Sequence, residues 1–138
     1  MSSRPKVLLV DDDHDTLDLL EIILYKDYEV ITAVNGFEGL KKIEVDAPDL
    51  IITDIMMPVM NGIRFFNSLR KNPAARNLPV VAVTGFSREY PAKSLANMGF
   101  AGIIPKPPEK AAVLELLAQL LPTAGSPDNS EPAVGPDS

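Results

Sequence analysis

Asp11, Asp12 and Asp13 stand in a row directly after the apolar run VLLV (7–10), and Asp54 follows the run LIIT (50–53) in the same way. Carboxylates gathered in one place repel each other unless a proton or a cation shares the site. A hard divalent ion removes that cost, and Mg²⁺ characteristically takes one or two carboxylates together with waters and phosphate oxygens. Two more polar residues close apolar runs: Thr84 ends VVAV (80–83), and Lys106 comes just after GII (102–104). A hydroxyl and an ammonium complement phosphoryl oxygens, and Gly85 brings no side chain to block access. Positioning and charge neutralisation are what phosphoryl transfer chiefly asks of a protein. The nucleophile of such a set is an aspartate, as in enzymes that form an aspartyl phosphate, and the central one is Asp54.

Each residue also has an ordinary reading. An acidic turn before a helix caps its N-terminus and suits its dipole, and Asp13 or Asp15 does so here. Thr84 alone is a β-branched strand end, and Lys106 alone is a surface lysine. Pro105, Pro107 and Pro108 stiffen the chain on both sides of Lys106. They either end a strand and start a helix, or hold the ammonium at a fixed point. The joint placement of the polar residues decides between the readings, and that placement depends on the elements that carry them.

VLLV, LIIT and VVAV are continuously apolar, as inner strands of a parallel sheet are when helices cover both faces. EVITAV (29–34) alternates in part and GII is short, which suits edge strands. Helical periodicity fills the gaps. Residues 14–26 carry Leu17, Leu20 and Leu24, widened by Leu19, Ile22 and Ile23. Residues 36–46 carry Phe37, Leu40 and Ile43, and residues 62–71 carry Ile63, Phe66 and Leu69 with Phe65 on the shoulder. Residues 88–98 place Pro91 in a first turn and Leu95 and Met98 later, and residues 109–121 carry Val113, Leu117, Leu120 and Leu121.

Five β-α units predict an α/β fold: a doubly wound, flavodoxin-like three-layer sandwich around a five-stranded parallel sheet of order 2-1-3-4-5. Ligands in such sheets bind beyond the carboxyl ends of the strands, where the winding reverses, here between the first and third strands. Asp11–Asp13 and Asp54 end those two strands, so the predicted switch point is lined by acids.

At 138 residues the chain suits one domain, over 1–121. Residues 122–138, rich in Pro, Gly and Ser, read as a disordered tail or linker. With no cysteine, disulfide scaffolds, thiolate metal sites and Cys nucleophiles are excluded, which suits a cytoplasmic protein. No apolar run approaches the ~20 residues of a membrane helix, and the first residues do not form a signal peptide. The net charge of -6 and the absence of a basic face speak against direct nucleic-acid binding.

VLLVDDD, DLIITDIMMPVMNG, VVAVTG and GFAGIIPKPP together resemble the landmarks of a response-regulator receiver domain from two-component signalling, across about residues 5–121. The resemblance implies Asp54 as phosphoacceptor, with Mg²⁺ on Asp11, Asp12, Asp54 and the backbone carbonyl of Met56. It implies Thr84 as switch hydroxyl, Lys106 as direct contact to the phosphoryl group with a cis peptide at Pro107, and Pro58 and Gly62 as shapers of the loop after Asp54. Met56 and Met57 side chains read as loop packing, and Asn61 as a helix cap. The phosphodonor implied is a histidine kinase or histidine phosphotransfer protein docking on the first helix; the lone His14 is read as solvent-facing. Output would pass to a downstream protein, from a monomer or a phosphorylation-dependent dimer, by a signalling domain that is no enzyme beyond its own phosphorylation and slow autodephosphorylation.

The chain departs from the family pattern at Ile103, where most receivers carry Tyr or Phe. Pro105 and Pro108 are also less common there. Met56 and Phe86 are apolar at positions that tune dephosphorylation, which implies a long-lived phosphoryl group. Two alternatives are a phosphorylation-independent adaptor of the same fold and an aspartyl-phosphate hydrolase. The hydrolase commonly has a second acid two residues after the nucleophile, where this chain has Met56.

Overall fold

A computed structural model describes residues 4–85 and 90–121 of the chain. Strand and helix alternate throughout: β1 (Lys6–Val10), α1 (His14–Leu24), β2 (Glu29–Ala33), α2 (Gly36–Asp46), β3 (Leu50–Asp54), α3 (Gly62–Arg70), β4 (Val80–Thr84), α4 (Ala92–Met98), β5 (Gly102–Pro105) and α5 (Lys110–Leu120). All pairings are parallel, in the expected order β2-β1-β3-β4-β5.

Each inner strand feeds two cores because successive side chains point to opposite faces. Leu8, Val10, Ile51, Val80 and Ala82 join Ile43, Phe65, Phe66, Leu69 and Leu95 beneath α2, α3 and α4. Val7, Leu9, Leu50, Ile52, Val81 and Val83 join Leu17, Leu20, Ile23, Val113 and Leu117 beneath α1 and α5. Burying each such side chain stabilises the fold by about 1.5–3 kcal/mol before entropy is counted. The edge strands β2 and β5 are only partly covered. Pro105 can therefore end β5, and the ladder resumes at once with Lys106 N donating to Thr84 O at 3.0 Å.

The helix starts follow from their caps. Asp13, not Asp15, caps α1, accepting from Asp15 N and from Thr16 Oγ1. Asn35 and Asn61 cap α2 and α3 by accepting from Glu38 N and Arg64 N. Neither α1 nor α2 has a basic residue in its last turn. Their C-terminal carbonyls are met from afar, by Arg4 on Tyr25 O at 2.6 Å and by Lys6 Nζ on Asp46 O at 3.0 Å.

The structure corrects several helical readings. α1 ends at Leu24 instead of 26, and α4 is a seven-residue helix with Pro91 as its cap instead of within its first turn. Ile22, Phe37 and Met98, expected on inner faces, are 66%, 49% and 42% exposed. At α2 the cause is visible: Gly36 and Gly39 occupy the inner face, and a Cβ at Gly39 would touch Phe65 and Val10. The helix thus sits too close to the sheet for Phe37 to fit beneath it. None of the described helices is long and apolar enough to cross a membrane. The tail expected over 122–138 and Phe86 lie outside the described residues.

Candidate functional site at the carboxyl edge of the sheet

Asp11 follows β1 and Asp54 is the last residue of β3, so the sheet order alone makes them neighbours. Both are buried, at 2% and 5% exposure, while Asp12 faces solvent. One carboxylate oxygen from each of Asp11, Asp12 and Asp54 falls within 4.8 Å of the others. Lys106 Nζ lies 3.2 Å from Oδ2 of both Asp11 and Asp54.

The two buried acids are held differently. Asp54 Oδ1 accepts from Ile55 N at 2.8 Å, which leaves Oδ2 facing the lysine. Asp11 Oδ1 accepts from Asp13 N at 2.9 Å. Its Oδ2 is buried and receives no directed hydrogen bond, the ammonium being near but not aligned. Burial, helped by the Asp54 charge, pushes the Asp11 carboxyl up to about 6, against the pull of the Asp13 N–H and Lys106. Burial also works against the Lys106 charge, yet the Asp54 and Asp11 carboxylates outweigh it and raise the ammonium above its ordinary value. Asp13, tied to Thr16 and to backbone N–H groups, is lowered and remains ionised as a cap.

An orphaned carboxylate oxygen among three converging acids suits a hard divalent cation with oxygen ligands. The residues present therefore fit Mg²⁺.

Thr84 ends β4 one residue past the partner of Asp54, since Asp54 pairs with Val83. Its hydroxyl donates to Gly85 O at 2.9 Å. The Lys106–Pro107 peptide is cis. Gly62 is needed where it is: a Cβ there would stand 2.3 Å from Asp54 O. Its N–H instead donates to Ile55 O at 2.8 Å, folding the β3–α3 loop back on the acid strand. Met57 and Met60 pack in this loop, whereas Met56 does not, its side chain being 52% exposed. His14 is exposed, as read.

Sequence reasoning missed Tyr90. It lines a cleft of about 390 Å³ together with Thr84, Gly85, Ile103 and Lys106. Its place between the fourth strand and the fourth helix put it at the right sheet edge, but nothing in its neighbours' pattern marked it.

The profile of the response regulator receiver domain matches residues 7–118. The chain belongs to that family. Receiver domains are the phosphoacceptor domains of phosphorelay signalling, so this is a signalling domain. The receiver is 33% identical over 114 residues, 82% of this chain and 87% of the relative, to an uncharacterized 14.6 kDa protein from the sodA1 3′ region of Leptolyngbya boryana. It is 31% identical to the chemotaxis protein CheY of Halobacterium salinarum, over 84% of this chain and 96% of that protein. Among solved structures, CheY4 of Vibrio cholerae superposes with a TM-score of 0.78 at 30% identity, covering 86% of this chain and all of that one. Several other curated relatives are longer, and the receiver spans 54% of their length or less.

Proposed function

We propose that this receiver takes a phosphoryl group from a phosphohistidine onto Asp54 in a Mg²⁺-dependent step and signals by protein contacts. The observation that carries the reading is one ammonium, Lys106 Nζ, at 3.2 Å from both buried acids of the site. Asp54 Oδ2 is the attacking atom, because Ile55 N–H already occupies Oδ1. The P–N bond of the donor breaks, its electron pair stays on the imidazole, and a P–O bond forms to Oδ2. Lys106 offsets the repulsion between carboxylate and incoming phosphoryl oxygens, which is the main obstacle to such a transfer. Thr84 turns its hydroxyl from Gly85 O to a phosphoryl oxygen, a stronger, charged acceptor. Asp11, Asp12, Asp54 and the carbonyl of Met56 would hold Mg²⁺, which when bound would further neutralise the phosphoryl oxygens.

The donor is a histidine kinase or a histidine phosphotransfer protein, and the output a downstream protein. With a net charge of -6, direct nucleic-acid contact has no support. The domain, residues 1–121 followed by a tail or linker over 122–138, acts in the cytoplasm as a monomer or a phosphorylation-dependent dimer. It carries out only its own phosphorylation and a slow dephosphorylation, since the exposed Met56 side chain offers no polar group to orient water.

Incubation with acetyl phosphate and Mg²⁺, followed by intact mass, tests this. One phosphoryl adduct is expected, and none in Asp54→Asn. An adduct that persists in D54N, or none in the parent chain, removes the reading; the second result favours an adaptor.

A further inference from the structure

The net charge of -6 hides a segregation along the chain. Twelve acids and three cations lie between Asp11 and Asp49, whereas Ile55 to Pro108 holds seven cations and one acid, Glu89. The fold turns this segregation into two faces. α1 covers one side of the sheet and α3 the other, so their outer surfaces point away from each other.

The outer stripe of α1 is Asp18, Glu21, Ile22 and Tyr25, all exposed. Ile22 and Tyr25 are 66% and 54% exposed, and with the two acids they line a hollow of about 460 Å³. Like charges three residues apart on a helix repel. Among the described residues the only ion pairs are those of Lys106 with Asp11 and Asp54, so no cation of the chain offsets the α1 acids. The stripe therefore combines uncompensated charge with two large apolar side chains left in solvent.

The outer stripe of α3 is Arg64, Asn67 and Lys71, also exposed and also two turns long, about 10 Å. Arg70 beside them is engaged within the fold, with its guanidinium 4.4 Å from the centre of the Phe66 ring and donating to the carbonyl of Arg76. That bond draws the loop after α3 against the helix end and adds the exposed Arg76 to the cationic surface. The two stripes complement each other in charge, length and chemistry. A guanidinium pairs with carboxylates and stacks on an aromatic face, while its stem covers apolar surface. The hollow on α1 offers all three partners to a cation carried on a second copy.

We propose that copies of this chain associate head to tail, the α1 stripe of one meeting the α3 stripe of the next, with Arg64 seated between Asp18, Glu21 and Tyr25. The stripes lie on opposite faces, so each contact uses one face of each copy and leaves the other free; the association is heterologous and does not close as a pair. It involves no residue of the acid cluster and needs no phosphoryl group, so it stands apart from the phosphoacceptor reading. One helix laid on another buries less than the ~1,600 Å² of a stable complex, which makes the contact weak and sensitive to salt.

Sedimentation velocity of the full chain tests this. At about 0.01 M salt the weight-average sedimentation coefficient should rise with protein concentration, and at about 0.5 M, where charges are screened within a few Å, the rise should fall at least about tenfold. Asp18→Asn with Glu21→Gln removes the acidic face, and Arg64→Gln with Lys71→Gln the cationic one; all four positions are exposed. Each double variant alone should stay monomeric. An equimolar mixture should form a one-to-one pair and nothing larger, because only one acidic and one cationic face remain. If a double variant does not fold, Glu21→Gln and Arg64→Gln singly take its place. A parent chain that stays monomeric at low salt, whatever other anion its α3 face binds, overturns the proposal. So does undiminished association of either variant alone, or a mixture that stays monomeric while the parent associates.

Discussion

Lys106 Nζ lies 3.2 Å from Asp54 Oδ2 and at the same distance from Asp11 Oδ2, so a single cation bridges two buried carboxylates from adjacent strands. Each acid has its second oxygen fixed by a backbone N–H, leaving the two Oδ2 atoms facing the lysine. The lysine occupies the ground that the proposed metal ion and phosphoryl group would have to approach. It holds the two acids together here, and under the proposed function it would meet the phosphoryl oxygens.

Lys106→Ala leaves Asp11 and Asp54 facing each other without a counter-charge. Without metal it should lose about 2 kcal/mol of stability, below the ~3–5 kcal/mol for breaking a fully buried pair because the lysine is partly exposed. Mg²⁺ should bind as well as in the parent or better, since a positive charge has left the acids. Phosphoryl uptake from acetyl phosphate should slow on the order of 10²-fold, the usual effect of losing one stabilising donor. Urea unfolding with and without Mg²⁺ and the rate of adduct formation measure all three. A large fall in metal affinity would mean that the lysine does not sit beside the metal ligands.

Asp11→Asn separates the structural role of that carboxyl from its proposed metal-binding role. The buried Asp11 carboxylate is disfavoured in the apo fold, as its raised pKa of about 6 records. The amide keeps an oxygen for the Asp13 N–H, so apo D11N should be more stable than the parent at pH 7 by about 1–2 kcal/mol. It should also lose most of the stabilisation that saturating Mg²⁺ gives the parent, which is about 2.7 kcal/mol at a hundred times the Kd. Equal Mg²⁺ responses in the two proteins would remove Asp11 from the ligand set.

The sheet and the acids were legible in the sequence for one physical reason. Strands buried on both faces must be continuously apolar, and a polar residue that ends such a run must sit at the sheet edge. Lys106 and Thr84 follow from the same logic. The helix faces were less legible, because periodicity marks an apolar stripe but not how close the helix comes to the sheet. Phe37 was misplaced for that reason, since Gly39 lets α2 approach too closely. Arg4 on the end of α1 and Lys6 on the end of α2 depend on contacts across the fold. Tyr90 beside Ile103 likewise depends on how α4 meets β5, which no local pattern encodes.

Val59 carries a positive φ of 73° in the loop after Asp54, with Met60 N donating to Pro58 O across it at 2.8 Å. This is the positive-φ γ-turn, a strained conformation, and a β-branched residue is poorly suited to it. The side chain is 70% exposed and contributes little packing in return. Val59→Gly should relieve about 1–2 kcal/mol of strain, less about 0.5–1 kcal/mol for the added freedom of the unfolded chain. A small net gain in the urea midpoint with an unchanged slope is expected, and acetyl phosphate uptake should be retained. A loss of stability would show that the exposed valine makes a contribution beyond its visible contacts.

Tyr28, at 2% exposure, lies in the core beneath α1 and α5. Burial and, to a lesser extent, the charge of Asp27 raise its phenol above the ordinary value of 10.0. The folded protein therefore keeps that proton at pH values where the unfolded chain releases it. Above about pH 10 the unfolded state binds fewer protons than the native state, so stability must fall as pH rises. Below that pH both states hold the proton and the phenol contributes no slope. Tyr28→Phe removes this ionisation and keeps the ring, so the alkaline decline should be shallower in the variant. Lys106 adds its own alkaline loss in both proteins, because its folded value is also raised and its stabilising charge disappears there. The difference between the two urea-unfolding series, from pH 8 to about 11, thus isolates the phenol. Parallel declines would mean that Tyr28 ionises as readily in the folded chain as in the unfolded one.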